Sequence, residues 1–472
     1  MKPRALALLL HSHMPYVEGF GTWPFGEEWL WEAVATVYLP LLELLNGAPV
    51  TVGLTPVLCD QLEALPGEAG ERYLRFLREV RAAIHEEDAH GLEQAGEREL
   101  AAEVRRSASD YRAGEEAFER RSGGLLAGFR SLERVELWTS AATHSLLPML
   151  ATDAGIRLQL ESGIASHERR FGAFGGGLWL PECAYEPGLE RYLAEHGVRV
   201  FCVDHTEVYG RGAPEHLRPV ATEAGPVAVP IDWQTVELVW NDVAGYPVHP
   251  LYRDYHRRTI HDLRPWSNGG EPYRHDQALA LAREHAHDFV ARVLARLEPE
   301  GGLVCCALDT ELLGHWWYEG QAWLQAVLEE APAQGIELVT VSEGIERVPA
   351  EKRPLHASTW GRDKDLSTWD APDVAEIAFT ARRAELRTVA AAARGRGPAL
   401  ERAARELLAL QASDWAFMVT RELAADYPQR RVEGHAAEHH RALETLDASS
   451  AGIDTRLRNL SPDLRLAALV AP

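Results

Sequence analysis

The sequence predicts an α/β chain in which a parallel, barrel-like sheet is followed by an all-helical C-terminal region. Three observations carry this expectation. Short apolar runs alternate with helical patterns from Ala5 to Val341, the arrangement that builds parallel sheets. Two of those runs, Leu178–Leu180 and Leu303–Leu308, lead into Glu182 and Asp309. Carboxylates just past strand ends lie on the face where barrel active sites are built. From about Leu355 the strand signals stop and long helical patterns replace them.

Length and charge narrow the possibilities. A chain of 472 residues suits one large barrel, expected over residues 1–354, with a helical domain over 355–472. Asp and Glu total 71 against 48 Lys and Arg, a formal charge of -23 that repels phosphate backbones and makes nucleic acid an unsuitable partner. It suits a neutral or cationic substrate. The five cysteines have no CxxC spacing, which argues against a disulfide framework or a zinc knuckle. No apolar run reaches transmembrane length, so no membrane partner is expected.

In chain order, Lys2-Pro3-Arg4 before Ala5–Leu10 has the look of a signal peptide. The run is short, lacks a small-residue cleavage site and meets His11-Ser12-His13, so it reads as the first strand of a cytoplasmic protein. His11 and His13, at i and i+2, share one side of the strand end, as sugar contacts or as metal ligands. An aromatic patch follows, in which Trp23, between Thr22 and Pro24, is the best candidate for an exposed platform. Glu27–Leu45 reads as helix and Val50–Leu54 as the second strand. Residues 68–121, rich in Glu, Arg and Ala, read as a helical insertion with a solvated, charged face. Val135–Trp138 is the third strand, and His144 lies beyond its end.

Pro181 stops the next strand because it has no N–H for a ladder, and Glu182 follows at once. Val198–Val203 and Glu337–Val341 read as further strands and Asp276–Leu297 as a helix. The basic, aromatic stretch from Tyr252 contains Trp266, and His315 and Trp316 follow Asp309. The C-terminal helices are expected at about Ala371–Arg394, Ala399–Leu410, Asp414–Asp426 and Val432–Leu446. Trp360 precedes them, and Gln411-Ala412-Ser413-Asp414-Trp415 joins two of them. Ser413 or Asp414 has an ordinary reading as an N-cap. Two strand-end carboxylates, each followed by aromatic residues that suit sugar rings, point to a glycosidase.

With these residues in view, the chain resembles glycoside hydrolase family 57, and within it the glycogen branching enzymes. The resemblance rests on His11–Val17, Glu136–Pro148, Trp179–Tyr185, Asp309–Trp317 and, more weakly, Ser358–Gly361, together with Leu408–Phe417. It implies an incomplete (β/α)7 barrel with a helical C-terminal domain over the site, acting on α-1,4-glucans with retention. It implies Glu182 as nucleophile and Asp309 as general acid/base. Substrate contacts are expected from His11, His13, Trp23, His144, Trp266, His315, Trp316, Trp360, Asp414 and Trp415. No cofactor and no metal are expected. Retention needs carboxyl groups only about 5–5.5 Å apart, which Glu182 and Asp309 can satisfy if they top neighbouring strands.

Two departures bear on the outcome of the reaction. The His205–Pro219 span looks shortened against the family's long loop, and Tyr209 is its only tyrosine. Gly361 is followed by Arg362-Asp363-Lys364 where the family has a glycine pair. A branching enzyme with appreciable hydrolysis is therefore expected. The alternatives are a mainly hydrolytic, amylase-like glucanase, a metal-dependent deacetylase using His11, His13 and His144, and a glucan-binding regulatory protein with a decayed site.

Overall fold

The computed structural model describes residues 2–446, 457 and 459–470. Of the helical region expected to residue 472, residues 447–456, 458, 471 and 472 lie outside the described residues. Among the described residues, nine strands form one sheet: β1 (Arg4–Ser12), β2 (Thr51–Leu54), β3 (Glu136–Ser140), β4 (Gly177–Trp179), β5 (Val200–Val203), β6 (Val220–Ala221), β7 (Val227–Pro230), β8 (Gly302–Asp309) and β9 (Glu337–Val339). Seven of them run parallel in the order β7-β5-β4-β3-β2-β1-β8. β6 makes an antiparallel hairpin with β7, and β9 pairs with the N-terminal half of β1.

β7 and β8 do not pair as strands. A hydrogen bond of 2.9 Å from Asp232 N to Cys305 O, just beyond β7, spans the gap between them. The sheet is thus an incomplete (β/α)7 barrel. β1 is an interior strand between β2 and β8, and its Ala5–Leu10 are apolar on both faces and fully buried, the pattern of an interior parallel strand. Its register puts His11 beside Asp309 on one side and Gly53 on the other. Gly177 opens β4 because a Cβ there would lie 2.0 Å from Nε1 of the buried Trp138.

Several expectations change. Glu182 and Asp309 do not top neighbouring strands, because β4 and β8 are separated by β3, β2 and β1 along the sheet. Curvature, not adjacency, brings them to one mouth. The strand expected over Glu337–Val341 ends at Val339, because Thr340 caps the helix Val341–Arg347 in a reciprocal capping box with Glu343. The charges of the insertion are not all solvated. Arg81 is buried on Glu28 and Glu32, and Arg253 on Glu103, so part of that face docks on the barrel.

After the last strand come the helices Ala375–Ala392, Pro398–Leu410, Asp414–Thr420 and Tyr427–Glu444. The third is six residues shorter than Asp414–Asp426 implies. Glu422, Ala424 and Ala425 take left-handed φ, and Pro428 opens the next helix, where its missing N–H costs nothing. No helix among the described residues is long and apolar enough to cross a membrane. All five cysteines are free and buried.

Candidate active site

Glu182 lies where the backbone leaves β4 with φ 58 at Glu182 and 50 at Cys183. A non-glycine residue in this region is uncommon, and two in succession mark a turn held by its surroundings. The holding segment is 358–360. Tyr185 and Ser358 exchange backbone bonds of 2.9 and 3.0 Å, and Trp360 N donates to Glu182 O at 2.9 Å. The Trp360 indole therefore reaches the nucleophile candidate, and its Nε1 donates to Glu182 Oε2 at 2.9 Å.

The other carboxylate oxygen is held from the helical region. Ser413 Oγ donates to Glu182 Oε1 at 3.1 Å. Ser413 occupies the N-cap position of the helix Asp414–Thr420, yet its side chain makes no cap bond. The loop is docked by Ser413 N to His144 O at 3.2 Å, Thr143 Oγ1 to Leu408 O at 2.6 Å and Gln159 Nε2 to Gln411 Oε1 at 3.0 Å.

Three histidines complete this wall. His11 Nε2 lies 3.0 Å from His144 Nε2, and His144 Nδ1 lies 2.9 Å from Ser413 Oγ. Burial pushes both imidazoles well below their ordinary pKa, and the charge of His13 adds to it, so both are neutral. With Glu182 ionised, the proton order follows, because a carboxylate only accepts. Ser413 gives its proton to Glu182 and accepts from His144 Nδ1–H, and His144 Nε2 accepts from His11 Nε2–H.

His13 behaves oppositely. Burial alone would lower its pKa, but the carboxylates of Asp414, Glu311 and Glu182 outweigh that and raise it. Its Nε2 sits 3.1 Å from both oxygens of Asp414, and its Nδ1 lies 3.1 Å from Thr55 Oγ1.

Asp309 stands across the mouth. Burial drives its pKa well above the carboxylate range, and the charges of Glu311 and Glu182 drive it further. Glu311 itself is lifted to about 7, mainly by burial, against a hydrogen bond from Tyr38 Oη. Burial also raises Glu182, with the Trp360 bond opposing and the Asp414 charge adding. One carboxyl is held as a hydrogen-bonded acceptor and the other, without donors among the described residues, has its pKa pushed upward by burial and like charge, the division of labour that a nucleophile and a general acid need.

The structure thus gathers His11, His13, His144, Glu182, Asp309, Trp360 and Asp414. Trp23 and His315 line a separate groove of about 1250 Å³ with Trp29 and Tyr255, to which none of the residues gathered at the mouth contributes. Trp316 is 40% exposed, edge-to-face with the equally exposed Trp240 at 6.1 Å. Trp266 is not brought to the carboxylates, and the Arg257 guanidinium covers its ring at 4.4 Å. Trp415 is corrected outright. It is 1% exposed, donates to Ala409 O at 2.8 Å and lies under Arg431, so it cannot touch a glucan. Its helix turns Asp414 to the mouth and Trp415 to the helical core.

Sequence reasoning passed over Ser413, Glu311 and Tyr38 as actors. Ser413 stood inside a motif but read as a cap. Glu311 had one signal, a second carboxylate two residues past Asp309. Tyr38 had none, since it sits within an apolar helix.

The family model described as glycosyl hydrolase family 57 matches residues 7–356, and that of the C-terminal region of 1,4-alpha-glucan branching enzymes matches residues 379–463. The chain is similar to a 1,4-alpha-glucan branching enzyme of Thermococcus kodakarensis, at 35% identity over 93% of this chain and 73% of that one. It is 33% identical to a probable 1,4-alpha-glucan branching enzyme of Mycobacterium tuberculosis, over 97% of this chain and 95% of that one. The crystal structure of a branching enzyme of the same family from Pyrococcus horikoshii superposes with a TM-score of 0.90 at 32% identity, covering 99% of this chain and 96% of that one.

Proposed function

Since the chain belongs to glycoside hydrolase family 57, we propose that it is a retaining 1,4-α-glucan branching enzyme with appreciable hydrolysis. The observation that carries this is the unlike treatment of two carboxyls at one mouth, Glu182 held on both oxygens and Asp309 left without hydrogen-bond donors among the described residues, with burial and like charge pushing its pKa upward. Glu182 attacks the anomeric carbon of an α-1,4-linked glucan and forms a glycosyl ester. Asp309 gives its proton to the departing 4-oxygen. Asp309 then takes the proton of an acceptor 6-hydroxyl as that oxygen attacks the ester, which makes an α-1,6 linkage and releases Glu182. His13, drawn toward its charged form by Asp414, offsets the negative mouth, and neutral His11 packs against Trp179 and Trp360 beside Glu182.

In this reading residues 1–354 form the catalytic barrel and 355–472 the helical domain, with the cytoplasm as the setting for five reduced cysteines. Substrate contacts are assigned to His13, Trp360 and Asp414 at the mouth, with the buried His11 and His144 acting through them and through Ser413, and to Trp23, His315 and Trp316 for more distant parts of a long glucan.

Water competes with the acceptor for the ester. The short His205–Pro219 span favours water, because it folds back on its own stem. Tyr209 packs near His205, His216 and His356 and under Arg353, and none of these belongs to the carboxylate site. A difference of about 1.4 kcal/mol between two barriers changes such a partition tenfold. The test counts α-1,6 linkages and new reducing ends formed on amylose in one reaction. Both should appear. Reducing ends alone would give the hydrolase reading, and linkages in hundredfold excess would show that the short span has no effect.

A further inference from the structure

The turn after Trp360 holds a cation that the mechanism above does not use. Lys2, Lys352 and Lys364 are the only lysines in a chain that otherwise uses arginine. Lys364 is nearly buried. Its Nζ lies 2.8 Å from Oδ2 of the fully buried Asp204, just past the end of β5. The same Nζ sits 3.1 Å from the centre of the Trp233 ring and 3.4 Å from the carbonyl oxygen of Trp360. A compact ammonium on a flexible stem can sit close to the carboxylate, the ring and the carbonyl together, which a planar guanidinium fits less well.

The backbone adds a second constraint. Thr359 N donates to Lys364 O at 3.0 Å and Lys364 N to Gly361 O at 3.2 Å, closing residues 359–364 into a tight turn. Lys364 closes it with φ 60, a conformation that glycine adopts more easily. A lysine there is favoured by what its side chain reaches. What the turn carries is Trp360, bonded to Glu182 through both its backbone N–H and its indole.

We propose that Lys364 is a positioning residue for the nucleophile, anchoring the Trp360 turn on Asp204 and Trp233 so that the indole N–H stays on Glu182. This rests on the reading of Glu182 as nucleophile. The turn is locked from beneath by an ion pair, and it places the nucleophile's hydrogen-bond donor from there. Misplacing such a donor lowers turnover more than it lowers affinity, because the bound sugar is still held elsewhere.

The experiment compares kcat and KM on amylose for Lys364→Met, Lys364→Gly, Trp360→Phe and the double variant Lys364→Met/Trp360→Phe, with Glu182→Gln measured alongside. Both Lys364 variants should lose about tenfold in kcat with KM nearly unchanged, although glycine suits the turn better. Lys364→Met should add almost nothing to Trp360→Phe, since both act through one hydrogen bond. Should Lys364→Met fail to fold with Asp204 left unpaired, Asp204→Asn/Lys364→Met removes the buried charge and should fold with the same low kcat. Wild-type kcat in that variant, a loss confined to KM, or losses that multiply with Trp360→Phe would overturn the proposal. Turnover retained by Glu182→Gln would instead sink the reading of the nucleophile.

Discussion

The two sides of the barrel mouth treat their carboxyls in opposite ways. On the β4 side, Glu182 accepts from Trp360 and Ser413, and two neutral histidines fix the direction of the Ser413 proton. On the β8 side, the Asp309 carboxyl makes no hydrogen bond to any described residue and sits among the negative charges of Glu311 and Glu182. The difference shows how one mouth treats two carboxyls unlike each other with three strands between them. In the proposed reading, donors suit Glu182 to be the nucleophile, and burial, like charge and the lack of donors suit Asp309 to be the acid. The donors come from segments far along the chain, whereas Asp309 and Glu311 come from a strand end and the turn that follows it.

The sharpest break of this contrast is Glu182→Gln. The amide keeps the shape and loses the nucleophile, so turnover should fall on the order of 10⁴-fold or more while glucan binding survives. Activity above a trace would remove Glu182 from that role. Asp309→Asn comes next, with a loss of about 10²–10⁴ on natural glucans and much less on substrates whose leaving group needs no proton. An equal loss on both would deny Asp309 the acid's part.

Ser413→Ala sharpens the β4 side. It removes one charge-assisted bond of about 1.5–3 kcal/mol, and kcat/KM should drop tenfold or more. Unchanged kinetics would mean that the helical region contributes only packing. Glu311→Gln probes the β8 side without touching either reacting group. An acid works only while protonated, so activity falls as pH rises through the Asp309 pKa. Removing the Glu311 charge lowers that pKa, and the alkaline limb should move to lower pH with little change at the acid side. A limb that stays in place would leave burial alone to account for Asp309. The smallest effect on catalysis should come from Trp415→Phe, which loses the bond to Ala409 O inside the helical core. Melting should fall by an amount equivalent to about 1–3 kcal/mol, with activity per folded molecule unchanged. Reduced polymer use in that variant would contradict the burial of the indole.

Local sequence determined much of this protein. The apolar run of β1, the stop at Pro181 and the strand-end positions of Glu182 and Asp309 follow from short-range rules about burial, missing donors and strand ends, and they were legible residue by residue. So was the switch to helices, since propensity and periodicity are local. β7 was not, because Gly225 and Pro226 before it and Pro230 at its end obscure the strand pattern, and it pairs only once β5 offers an edge. Tertiary structure alone decided which groups reach Glu182. The antiparallel contact of Tyr185 with Ser358 brings in Trp360, and the docking of Gln411 and Ser413 on the β3 end turns a cap residue into a donor. It also decided that Asp414 faces the mouth while Trp415 faces the core, although both sit in one motif. Spacing along a chain sets which residues can share a face. Which face is covered, and by what, depends on segments 178 to 252 residues away, and those contacts set the hydrogen bonds and charges on which the chemistry depends.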